Sequence, residues 1–227
     1  MLRAPSRKGV LASAAVPVQV LVTAFEPFGA WTLNSSLEAA DALAASSPAG
    51  IELATATLPV AYSGAVAALT AAVRQADPDV VIALGQAEGR AAITPERIAV
   101  NLDEAEAADN KGVVSLERPI VAGAPAAYLS TLPVRAIVER LRGAGIPAKV
   151  SRTAGGYLCN HVFYGLMHLL ATERPGTSGG FVHVPLLPEQ APDGKLPTLG
   201  REALVRGIGL VVESAALRPA PPLAAPA

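Results

Sequence analysis

The chain has 227 residues, half of them apolar, with 18 Lys and Arg against 19 Asp and Glu and a single cysteine. That length suits one α/β domain with an ample core, and a near-zero charge without a basic block argues against nucleic acid or an anionic membrane as a partner. One cysteine excludes an internal disulfide, and a free thiol persists best in a reducing compartment, so a cytoplasmic setting is expected.

Residues 1–17 read as a flexible N-terminal extension. Arg3, Arg7 and Lys8 followed by an apolar run resemble a signal peptide, but Pro17 interrupts the run and Val18 to Phe25 is better used as a first strand. No uncharged stretch approaches the roughly 20 residues needed to span a bilayer. Residues 18–216 then form one catalytic α/β domain, and the Pro/Ala-rich stretch 217–227 reads as a disordered tail.

VQVLVTAF, Val18 to Phe25, is rich in β-branched residues and stops at Pro27 and Gly29, the pattern of a buried parallel strand and a loop. Asn34 and Ser35 can cap a helix running to Ser47. A second strand starts at Ile51, and Ser63 is placed to cap a helix through Val66, Leu69 and Val73 to Gln75, with Pro78 beyond. DVVIALG, Asp79 to Gly85, is continuously apolar, as a central strand covered on both faces must be. Strand and helix have then alternated twice, which predicts a three-layer α/β/α sandwich with a mostly parallel sheet, its sites beyond the strands' carboxyl ends.

The loop GQAEGRAAITPER follows at such an end. IAVNLDEA reads as another strand, with antiparallel pairing, and Glu106 to Ala127 as a long surface loop without a consistent period. Leu132 to Arg142 reads as a helix, Ala148 to Thr153 as a strand, and Leu199 to Ala216 as the last helix, with Leu204, Ile208, Val211 and Val212 on its apolar face.

Cys159 lies in TAGGYLCNHVFYGLMHLL, where a Gly-rich turn becomes a helix with Val162, Phe163, Leu166, Leu169 and Leu170 on one face. A thiol at a helix's first turn meets unpaired N–H groups and the positive end of the dipole, which favour the thiolate. A lone cysteine is more often a small buried hydrophobe. What points to chemistry is FVHVPLLPEQ, Phe181 to Gln190, a strand carrying His183: nucleophile and histidine on separate elements are what a Cys/His hydrolase needs. His161 points to another side of the helix and His168 lies deeper along it. Glu96, backed by Thr94 and Pro95 in the loop at the strands' active end, is the carboxylate chosen to orient the imidazole. No phosphate-binding glycine motif, zinc-ligand spacing or Gly-x-Ser-x-Gly elbow is present, and no cofactor or metal is expected.

VTAFEPFG, GQAEGRAAITPERIAVNLDEA, AGGYLCNHVFYGLMH and GGFVHVPLLPEQ, in that order from Val18 to Gln190, resemble the pyroglutamyl peptidase I family of cysteine peptidases. The resemblance implies a phosphorylase/hydrolase-like fold and removal of N-terminal pyroglutamate (5-oxoproline) from peptides. It also implies Cys159 as nucleophile, His183 as general acid/base and Glu96 as its orienting group. Phe25, Phe28 and Tyr157 would wall the lactam pocket, with Gln86 at a position whose backbone meets the lactam, and a homo-oligomer, tetramer or dimer, is implied. Tyr157 stands where many members carry Phe, so its hydroxyl needs a partner. Glu106 stands where many members carry an arginine thought to help the oxyanion, and Glu88 where many carry Gly. The Glu106 departure leaves a second expectation open, a protein that binds pyroglutamyl ligands with weak or no catalysis. A nucleoside-phosphorylase-like transferase is a third.

Overall fold

The computed structural model describes residues 16–217. The expected N-terminal extension and C-terminal tail therefore fall, save for their residues nearest the domain, outside the described residues. In chain order the elements are β1 (Val18–Phe25), α1 (Ser35–Ala44), β2 (Ile51–Leu58), α2 (Ala65–Ala76), β3 (Val80–Gln86) and β4 (Thr94–Pro95). The short strands β5 (Ile98–Val100), β6 (Asp103–Ala105), β7 (Ser115–Arg118) and β8 (Ala127–Leu129) follow. Then come α3 (Val134–Gly143), α4 (Leu158–Glu173), β9 (Ser178–Val184) and α5 (Arg201–Leu217).

The main sheet has the order β2-β1-β3-β9-β4, parallel except for β4, which runs antiparallel to β9. Alternation along each strand divides the core. Val80, Ile82 and Leu84 of β3 face α1, α3 and α5, whereas Val81 and Ala83 face α2 and α4. The α/β/α layering expected from the sequence is the architecture found, and β3, read as the central strand, occupies the centre.

Four local expectations differ from the structure. Ser63 does not cap α2: Ala61 O already accepts from Gly64 N (3.1 Å) and Ala65 N (3.0 Å), and Ser63 Oγ accepts instead from Lys111 Nζ at 3.2 Å. The stretch 148–153 is not a strand, although it lies parallel to β4. Pro95 has no N–H to give it, so the ladder survives only as isolated bridges, Ile93 to Ala148 and Glu96 to Ser151. IAVNLDEA forms two strands, not one, because Leu102 N turns back onto Val100 O at 2.8 Å, and β5 and β6 join separate antiparallel ribbons with β8 and β7. The stretch read as one long loop contains β7 and the first residue of β8.

Candidate active site

Cys159 is the second residue of α4, and the turn before it is shaped by two glycines. Gly155 has φ +82°, a left-handed conformation, and a Cβ on Gly156 would lie 2.1 Å from Glu104 O, so the chain here can press onto β6 only without a side chain. The first intrahelical bond is His161 N to Tyr157 O at 3.1 Å, which leaves the N–H groups of Leu158, Cys159 and Asn160 ahead of the ladder. Asn160, buried, fixes this end of the helix by donating to Val100 O (2.8 Å) and Leu102 O (2.9 Å) and accepting from Val100 N (3.0 Å).

His183 is placed by the sheet. It sits opposite Gly85 in the β3/β9 register, on the face covered by α4. A Cβ on Gly85 would lie 2.9 Å from Cys159 Sγ and 2.6 Å from Phe181 Cζ, so the sulfur occupies a gap left by a missing side chain. His183 Nδ1 is 2.7 Å from Glu96 Oε1. A carboxylate acceptor there fixes the Nδ1–H tautomer and leaves Nε2 a free lone pair. Glu96 is fully buried, with its Oε1 also accepting from Arg90 Nη1 at 2.7 Å. Arg90 is held in turn by Thr94 Oγ1 (2.6 Å) and Thr153 O (3.0 Å). His183 and Glu96, expected as partners from the sequence, are hydrogen-bonded, and the charges of Arg90 and Glu96 reach Cys159.

Beside the sulfur is a slot of ≈ 20 Å³ walled by Phe25, Phe28, Val60 and Tyr157, with Asn34 and Gln86 on its polar side. All four residues expected to bind the lactam line it. Phe28 and Tyr157 face one another with ring centroids 6.5 Å apart, and the Tyr157 hydroxyl finds its partner in Ala108 O at 3.0 Å. Gln86 Oε1 accepts from Ser35 N (2.9 Å) and Gln190 Nε2 (2.7 Å), while its own Nε2 is buried with no partner. Sequence reasoning gave Asn34 only a capping role and gave Val60 and Gln190 none; a buried glutamine that orients another leaves no periodic signal.

The sequence pattern of the family described as pyroglutamyl peptidase matches residues 18–218. This chain belongs to that family. It is 48% identical over 202 residues to the pyrrolidone-carboxylate peptidase of Streptomyces coelicolor, covering 89% of this chain and 94% of that one. It is 49% identical over 198 residues to the one from Gloeobacter violaceus, covering 86% and 96%. The crystal structure of Bacillus amyloliquefaciens pyroglutamyl peptidase I superposes with a TM-score of 0.86 at 40% identity, covering 88% of this chain and 97% of that one.

In this member of the pyroglutamyl peptidase family, burial outweighs the helix start: it pushes the Cys159 thiol from 9.0 up to about 12, with Arg90 pulling it down and Glu96 pushing it up. Burial thus opposes the thiolate that the helix start favours. Burial also lowers the His183 pKa, opposed by the hydrogen bond that His183 donates to Glu96 and aided by the Arg90 charge. Both shifts favour the uncharged forms of the two groups. Glu106 is exposed on the loop after β6, and the charges acting on the thiol are those of Arg90 and Glu96, which does not favour the reading of a catalytically silent binder. The other histidines are engaged elsewhere, His161 Nδ1 with Asp103 at 3.0 Å and His168 Nδ1 with the Tyr128 hydroxyl at 2.9 Å. Among the described residues no helix is long and apolar enough to cross a membrane, and no three His, Cys, Asp or Glu gather to hold a metal ion.

Proposed function

We propose that the chain is a cysteine omega-peptidase that releases N-terminal pyroglutamate from peptides, with Cys159 as nucleophile, His183 as acid and base, and Glu96 as its positioning group. The observation that carries this is the Glu96–His183 bond of 2.7 Å beside a sulfur that opens on an aromatic slot. As substrate binds, the Cys159 thiol gives its proton to His183 Nε2 and Sγ attacks the pyroglutamyl carbonyl carbon. The imidazolium is stabilised by Glu96, and the oxyanion by the N–H of Cys159, free at the helix start. His183 then protonates the leaving amine as the C–N bond breaks, leaving a thioester. Water, deprotonated by His183, attacks the thioester, and its collapse returns the proton to sulfur and frees pyroglutamate.

The flat lactam stacks between Phe28 and Tyr157, which swing outward to admit it, because ≈ 20 Å³ is less than a five-membered ring requires. The unpaired Gln86 Nε2 is a donor of the kind a lactam carbonyl accepts. A cytoplasmic setting follows from the need to keep the one thiol reduced. We also propose self-association through the exposed Val100, Val113, Val114, Leu116 and Leu129 on and beside the two small ribbons, for which sedimentation velocity is the measure.

Wild type and Cys159→Ala, assayed side by side on a chromogenic pyroglutamyl amide, test the mechanism. Turnover is expected in the first and a loss of about 10⁴-fold or more in the second. An undiminished rate in Cys159→Ala would remove the nucleophile assignment.

A further inference from the structure

Between α3 and the stretch 148–152 at the sheet's edge lies a concavity of ≈ 800 Å³ whose wall, apart from Arg90, takes no part in the proposed peptidase chemistry. Six cations line it: Arg90, Arg97, Arg135, Arg142, Lys149 and Arg152. They are six of the chain's 18 Lys and Arg, gathered in one hollow of a protein whose net charge is −1. The sequence places them there for plain reasons. Val134, Ile137, Val138 and Leu141 of α3 are buried, so Arg135, Glu139 and Arg142, spaced by four and three residues, form its outward stripe. The stretch 148–152 runs beside β4 and brings Lys149 and Arg152 to the same hollow.

Their charges are not balanced locally. Arg74, Arg140, Arg174 and Arg201 each hold a carboxylate elsewhere on the molecule. Here Arg90 alone does, through Glu96; Arg97, Arg135, Arg142, Lys149 and Arg152 make no ion pair among the described residues, and Glu139 is the one carboxylate in the wall. Arg142 is oriented by a 2.8 Å bond from Nε to Ala148 O, which leaves the rest of its fork free. Crowding like charges is unfavourable unless something of opposite charge comes between them.

We propose that this hollow is a binding site for a small polyanion carrying contiguous phosphoryl groups. Guanidinium forks match phosphoryl oxygens two at a time. A monovalent oxyanion would leave most of the five unpaired cations uncompensated. Val138 and Val150 are the only apolar residues in the wall, so the hollow reads charge and offers little to a base or an acyl chain. Its volume lies in the range of small-molecule sites.

Calorimetric titration of the full chain with sodium tripolyphosphate at about 50 mM salt is the test, because screening at higher salt weakens such contacts. Saturable binding is expected, with orthophosphate at least about tenfold weaker and ATP equal to tripolyphosphate within about threefold. Arg135→Ala with Arg152→Ala should weaken tripolyphosphate about tenfold, without altering turnover or melting temperature, since both residues are exposed and outside the catalytic set. Four results would overturn the proposal: no binding in the wild type, equal affinity for orthophosphate, unchanged affinity in the double variant, or ATP bound where tripolyphosphate is not. So would an oligomer that Arg135→Glu with Arg152→Glu dissociates in a protein that binds no tripolyphosphate, since the hollow would then hold a second copy's carboxylates.

Discussion

At the scale of single residues the site is governed by the removal of water. Burial lowers the His183 pKa and raises that of Cys159, and both shifts favour the uncharged forms. The base form of His183 is lost as pH falls through its pKa, so a lowered pKa puts the acid limb of kcat/KM below the ordinary imidazole value of 6.5. A limb centred at or above that value would contradict the buried, neutral histidine. Glu96→Gln removes the carboxylate that holds up that pKa and fixes the tautomer. It should lower kcat/KM by about 10²- to 10⁴-fold and move the acid limb further down, with the melting temperature as control. A rate loss with an unmoved limb would mean that Glu96 only supports the loop.

At the scale of elements, the site depends on strands and a helix meeting where one side chain is missing. An alanine at Gly85 would place its Cβ 2.6 Å from Phe181 Cζ and 2.9 Å from Cys159 Sγ. Phe181 is fully buried and cannot retreat, so Gly85→Ala should cost roughly 1–3 kcal/mol of stability and most of the activity. Denaturant unfolding and the amide assay together check it; wild-type values for both would show that the gap is not needed. Such crowding is invisible in the sequence, where Gly85 reads only as a strand's end. What is legible there follows a strong local rule. β1 and β3 are nearly unbroken apolar runs, α5 keeps its 3.6-residue stripe, and Cys159, His183 and Glu96 each lie at an element boundary marked by Gly or Pro. What is not legible arises between distant residues. Pro95 breaks a ladder formed with residues some fifty positions away, Ala61 O takes the bonds left for Ser63, and Gln190 orients Gln86 across the pocket. The thiol's pKa belongs to this second kind, because local helix logic favours the thiolate and the surrounding burial opposes it.

At the scale of the whole molecule, His183, the proposed acid and base, is carried by the last strand among the described residues, which is inserted between β3 and β4 and not added at an edge. Its partner β3 lies about 100 residues earlier, with Val80 opposite Ser178. Closing so long a loop costs entropy before the pairing returns any stabilisation, which makes this the slow step of folding. The helices α1, α2 and α4, by contrast, need only local hydrogen bonds to begin forming. Until β9 docks, His183 has neither Glu96 as a partner nor Gly85 opposite it, and α4 lacks the strand it packs against. Refolding from denaturant should therefore restore helical circular dichroism largely before peptidase activity. Turnover should appear with the slowest spectroscopic phase and at its rate. Activity returning together with the first helical signal would show that the site assembles without β9, and would break the link between sheet order and catalysis.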